Sequence, residues 1–220
     1  KALIEKKYKI LGDLAFMSQW EVYFGGTNDT AKQKKGKIKE KQSSLWILLL
    51  PWLIVWIAIP IHSYWGSFAA MLGSAVAVLS YFVVRLTPYD IISISVCGIL
   101  SALGLIGVPL LWLIPAAYLL FGLLWIVSAF LPLPLSAWYS CNQYGGLKYA
   151  KNNLLFISTN RILTICWGIL YLCPPIWTFF LIQTDFSKFI SLVNSIFPAL
   201  LGIFTWWFQK WYPARKAAGK

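Results

Sequence analysis

The chain has 220 residues, of which 59% are hydrophobic and only 12% charged, with 13 Trp, 11 Tyr and 14 Phe, and its mean hydropathy is +0.68. Soluble domains run nearer half apolar and a quarter charged, so this composition excludes a water-soluble globule and points to an integral membrane protein. The net charge of +12 does not indicate a nucleic-acid partner, because almost no polar surface remains to carry a basic groove or stacking platform.

Residues 1–44 read as a non-spanning unit on the cytoplasmic side. Leu3, Ile10, Leu14, Met17 and Phe24 recur at helical steps while Glu5, Lys6, Lys9 and Asp13 occupy other faces, the pattern of an amphipathic helix. It either lies along the membrane surface or packs on a partner or on the loops. Gly25-Gly26-Thr27-Asn28-Asp29 ends it. Lys32, Lys34, Lys35, Lys37, Lys39 and Lys41 follow just before the first apolar run. Each contributes roughly 1 kcal/mol near an anionic leaflet, so the cluster is a candidate contact to lipid headgroups, or else only an orientation signal.

From residue 45 to 209 the sequence predicts a membrane domain. Runs without Lys, Arg, Asp or Glu cover 42–84, 91–147, 162–184 and 189–209, and a span needs about 20 apolar residues. The first run divides at a polar turn over His62–Ser67, and the second at Gly107-Val108-Pro109. Six spans result: Leu45–Ile61, Phe68–Val84, Ile91–Ile106, Pro109–Leu131, Ile162–Ile182 and Phe189–Phe208. The expected fold is therefore an all-α integral membrane protein of six transmembrane helices in three hairpins, preceded by the amphipathic helix and followed by a basic tail at 210–220. Eighteen of the 19 Lys and Arg fall in the termini and alternate loops on one side, leaving Lys188 alone on the other. Positive loops stay inside, so both termini are expected on the cytoplasmic or equivalent side of a bacterial inner membrane or organellar membrane.

Several local features are candidates for function. Ala69, Gly73 and Ala77 recur at four-residue steps in the second span, and Gly98 with Ala102 repeats that spacing in the third. Such stripes let helix backbones approach, within the chain or against another subunit. Arg85 and Asp90 bracket a short turn and can pair across it. The connection 132–161 carries Trp138, Tyr139, Tyr144 and Tyr149 beside basic residues, and is either a simple interfacial loop or the best candidate for a cytoplasmic docking surface. Pro174-Pro175 removes the helix donors to the carbonyls of Leu170 and Tyr171, which predicts a break in the fifth span. Should spans one, five and six be neighbours, His62, Tyr64, Gln183 and Asn194 would ring an outward-facing solute pocket.

Catalytic chemistry is poorly supplied. The six predicted spans hold no ionisable Asp, Glu, Lys or Arg, and the one His lies at a helix end. Cys97, Cys141, Cys166 and Cys173 form no CxxC pair and read as small packing residues, so neither a metal nor another cofactor is expected. The span count matches the small substrate-capture subunits of some modular vitamin transporters, by topology and not by motif. The sequence thus suggests a non-catalytic, multi-span subunit or assembly component of a larger membrane complex, with other membrane subunits as partners. The alternative is a transport component that binds a small neutral or lipid-like solute.

Overall fold

The computed structural model describes residues 43–144, 146–181 and 183–217, and within them the chain is helical with no strand. The predicted amphipathic helix and the lysines from Lys32 to Lys41 lie outside these residues. The α-helices are α1 (Leu45–Ile61), α2 (Ser63–Leu79), α3 (Pro88–Leu105), α4 (Leu110–Ala129), α5 (Leu135–Ser140), α6 (Leu147–Asn152), α7 (Leu154–Leu172), α8 (Pro174–Leu181) and α9 (Ile190–Ala217). Five segments are long and apolar enough to cross a membrane: Ser63–Phe82, Pro88–Leu105, Leu110–Ala129, Leu154–Leu181 and Leu192–Lys216. The remaining expected span, α1, has 17 residues, and at ~1.5 Å per residue rises about 26 Å, short of a hydrocarbon core of about 30 Å.

Local chemistry sets the ends. His62 is extended (φ −151°, ψ 108°), and its Nδ1 accepts the Trp65 N–H at 3.4 Å. The expected polar turn over His62–Ser67 is thereby reduced to one residue, with α2 starting at Ser63. Thr87 caps α3 in a reciprocal capping box with Asp90, and Pro88 occupies the first helical position, so this helix starts before Ile91. At its other end Gly107 takes φ +89°. The Val108 N–H reaches the Leu103 carbonyl at 3.0 Å and the Gly107 N–H reaches Gly104 at 3.2 Å, a left-handed stop that favours glycine. Asn153 caps α7, its Oδ1 accepting from the Phe156 N–H at 2.9 Å. The fifth apolar segment consequently begins at Leu154 instead of Ile162, and the predicted connection 132–161 is largely helix.

α1 packs along α2, α2 along α3, and α4 chiefly along α7. The core is aromatic: Trp52 and Trp56 of α1 meet Tyr118, Phe121 and Trp125 of α4 and Tyr171 of α7. Trp56 stacks on Tyr118 (centroids 4.8 Å apart, planes at 4°) and on Tyr171 (5.5 Å, 18°). A smaller core of Leu133, Ala137, Cys141, Ala150 and Phe156 closes the end of the bundle that carries α5 and α6, the platform end.

The small-residue stripes divide unequally. In α2, Gly73 and Ala77 are buried and Ala69 is half-buried, and a Cβ on Gly73 would meet Ile54 of α1. In α3, a Cβ on Gly98 would have nothing within 4 Å, and Ala102 is exposed. The buried stripe of α3 is instead Ser93, Cys97, Ser101 and Gly104, one helical position round from the expected one. A Cβ on Gly104 would collide with Ser67 of α2. The closest backbone approach is at Gly66, where a Cβ would strike the Ala58 carbonyl of α1. Gly66→Ala should therefore lower the thermal stability of the detergent-purified protein by the equivalent of about 1–3 kcal/mol, the usual range for overpacking. Gly98→Ala should leave the melting curve unchanged.

Candidate functional site

The platform end concentrates the buried polar groups. Asp90 and Thr87 are both fully buried, although they stand at the start of a membrane-length helix. Asp90 Oδ2 accepts the Thr87 N–H at 2.6 Å, Thr87 Oγ1 accepts the Asp90 N–H at 3.1 Å, and Asp90 Oδ1 accepts the Tyr139 hydroxyl at 2.7 Å. Tyr139 also lies 3.0 Å from Thr87 Oγ1. Burial, reinforced by the Asp90 charge, raises the Tyr139 phenol far above its ordinary range, so it remains a donor. Tyr89 donates to the Leu133 carbonyl at 2.9 Å. The expected pairing of Asp90 with Arg85 does not form: Arg85 is exposed, while both carboxylate oxygens already have donors.

A second network fixes α5 to α7. Ser136 Oγ lies 2.7 Å from Thr164 Oγ1 and donates to the Asn160 carbonyl at 2.8 Å. Ser140 Oγ contacts Asn160 Oδ1 at 3.0 Å. The Leu135 N–H reaches Ser128 Oγ of α4 at 3.3 Å. Ser43, just before α1, donates to the Trp138 carbonyl at 3.1 Å, and Asn142 Nδ2 donates back to the Ser43 carbonyl at 3.0 Å. The six residues of α5 are thus tied to the starts of α1 and α3, the end of α4, and α7. Arg161 adds a cap to α4: its Nε donates to the Ala129 carbonyl at 2.9 Å and its Nη2 to Leu131 at 3.3 Å. These carbonyls lie at or just past the helix end, where no intrahelical donor follows.

Each described residue of the expected solute pocket has its own setting. His62 and Tyr64 are exposed at the end of the bundle opposite the platform, where His62 caps α2. Gln183 is exposed and donates to its own segment, to the Phe179 carbonyl at 2.9 Å. Asn194 is buried and already engaged: its Oδ1 accepts from Trp177 Nε1 at 2.8 Å and its Nδ2 reaches Thr178 Oγ1 at 3.2 Å. That pair of bonds joins α8 to α9. Helix is interrupted at Cys173, directly before Pro174-Pro175, and the Ile176 N–H bonds back to the Cys173 carbonyl at 3.0 Å.

Within the core, Trp52, Trp56 and Trp125 hold their indole N–H groups buried without an acceptor, as do the hydroxyls of Ser67 and Ser93. These rings contribute area and stacking, and their donors add a desolvation cost. Among the described residues no group of three His, Cys, Asp or Glu is placed to hold a metal ion.

The buried platform network can hold helices in register; its carboxylate, hydroxyls and amide bond to one another and to backbone. Tyr139→Phe leaves Asp90 Oδ1 without a donor, and hydrogen bonds to charged groups contribute about 1.5–3 kcal/mol. The variant should melt earlier by that equivalent, and the loss should shrink in an Asp90→Asn background, as read by a double-mutant cycle of thermal unfolding. Comparison with protein-family models, with curated proteins and with solved structures finds no match, which leaves this geometry as the ground for a functional reading.

Proposed function

We propose that the chain is a non-catalytic subunit or assembly component of a larger membrane complex, and that the platform end is where it meets its partners. The observation that carries this reading is the fastening of α5 by side-chain hydrogen bonds to α3, α4 and α7 and to the start of α1. A connection between membrane helices is ordinarily the mobile part. Here it is pinned over its own small core, and Lys148, Lys151 and Asn152 lie beside it, all exposed. A rigid surface with few rotamers to order is suited to a stable subunit contact.

The six-span reading belongs to the same proposal. Leu48, Val55 and Ile59 on one face of α1 are wholly buried while Trp46, Leu50 and Ile57 are exposed, so a helix of 17 residues crosses packed along the bundle on one side, and the protein shields part of it where it falls short of the hydrocarbon core. Six crossings in three hairpins bring both termini to the platform end, with all the Lys and Arg except Lys188, and that end faces the cytoplasm or its equivalent. The basic residues from Lys32 to Lys41 then meet anionic headgroups. In a background without reactive native cysteines, Tyr64→Cys and Phe186→Cys should label from one side of sealed vesicles and Tyr144→Cys from the other. Labelling of Tyr64→Cys and Tyr144→Cys from the same side would defeat this topology.

Gentle detergent extraction of the full chain followed by mass spectrometry tests the functional reading. The chain should travel with other membrane polypeptides in fixed ratio, and combined Tyr139→Phe, Ser136→Ala and Ser140→Ala should lower that ratio several-fold while the chain itself still accumulates. His62→Ala with Gln183→Ala should leave the ratio unchanged. A chain that travels alone, and retains a small solute that is lost in the His62→Ala, Gln183→Ala variant, would replace the subunit reading with the transport one.

A further inference from the structure

The last helix leaves the bundle at the platform end and opens a groove of 410 Å³ against α7, lined by Ile162, Phe208, Trp211, Tyr212, Arg215 and Lys216. This volume falls within the range of small-molecule sites, about 300–1,000 Å³. Its lining is divided by chemistry. Ile162, Phe208, Trp211 and Tyr212 supply the apolar part, with Phe208 stacked on Tyr212 (centroids 5.1 Å, 19°). Arg215 and Lys216 stand in the last turn of α9, both exposed, and the Arg215 guanidinium rests 5.1 Å from the Trp211 ring centroid. Among the described residues no acidic side chain lines the groove. The neighbouring Arg161 is engaged with the Ala129 and Leu131 carbonyls.

The geometry points to a binding site for one glycerophospholipid of net negative headgroup charge, its acyl chain along Ile162, Phe208 and Trp211 and its phosphate at Arg215 and Lys216. The groove lies between two membrane-length segments, Leu154–Leu181 and Leu192–Lys216, at the end where Trp and Tyr rings give way to cations. That sequence of apolar wall, aromatic ring and basic group follows a lipid from chain to headgroup. A free anion would gain nothing from the apolar wall, and the headgroup ammonium of a zwitterionic lipid would bring a third positive charge beside Arg215 and Lys216. The site is separate from the lysines between Lys32 and Lys41, and its occupancy does not depend on the subunit reading.

Native mass spectrometry of the full chain in detergent, titrated with dioleoyl phosphatidylglycerol or dioleoyl phosphatidylcholine, tests it. One phosphatidylglycerol should be retained in preference to phosphatidylcholine. Its affinity should fall about tenfold or more in Arg215→Gln with Lys216→Gln and recover in Arg215→Lys with Lys216→Arg. Neutralising all six lysines from Lys32 to Lys41 should remove other bound lipids but not this one. Ile162→Trp keeps both cations and fills the groove, and it should also release the lipid. Glycerol phosphate, a headgroup without acyl chains, should not compete at comparable concentration. Equal retention of the two lipids, unchanged affinity in either the charge or the filling variant, or full competition by glycerol phosphate would overturn the assignment.

Discussion

A carboxylate with no exposed surface at the head of a membrane-length helix has to find its hydrogen-bond donors inside the protein, and the arrangement of the platform end depends on that requirement. Asp90 takes one donor from its own turn, the Thr87 N–H, and the other from Tyr139, 49 residues further along the chain. An isolated buried charge would be prohibitively costly, whereas one with complete hydrogen bonding is tolerated and fixes position. Once Tyr139 is held, the short α5 is placed across the bundle. Its serines then stand where Thr164 and Asn160 of α7 can bond to them. Local capping chemistry and long-range packing therefore share the same side chain.

The remainder of the bundle is governed by apolar area and shape. Trp56 lies between Tyr118 and Tyr171 with nearly parallel rings, and Phe121 meets Trp52 and Tyr171 at steeper angles. Offset and edge contacts of this kind add about 0.5–1.5 kcal/mol each beyond the area they bury. Close approach of α1, α2 and α3 is permitted by Gly66, Gly73 and Gly104. In hydrocarbon, where lipid tails are as apolar as the side chains, such fitting provides much of the attraction between helices.

What is legible in the sequence is local. The bounds of α1 match the apolar run Leu45–Ile61 because its ends are set by adjacent residues. The all-helical character and the apolar lengths follow from composition in the same way. Charge alone puts the start of α7 too late, because Arg161 interrupts the apolar run, yet the helix carries it and its guanidinium reaches the carbonyls at the end of α4. The Thr-x-x-Asp spacing at Thr87 and Asp90 matches a capping box, but not its burial, because Tyr139 is distant in sequence. In α3 the spacing favours Gly98 and Ala102, whereas the packed line runs through Cys97 and Ser101. A run of small residues on adjoining faces does not say which face is covered. The pocket expected from His62, Tyr64, Gln183 and Asn194 requires a particular neighbourhood of helices, which spacing does not reveal, and the bonds of Asn194 that join α8 to α9 are equally invisible to it.

The position of Trp56 also bears on the order in which this protein is made. Its two stacking partners are Tyr118 and Tyr171, so α1 is synthesised long before the rings that cover Trp56. No arrangement of α1, α2 and α3 alone can supply those rings, because they belong to α4 and α7. Ser43 likewise waits for Trp138 and Asn142. The α1 segment therefore precedes in synthesis every ring that stacks on Trp56, and its packing is complete only once Tyr171 has been added.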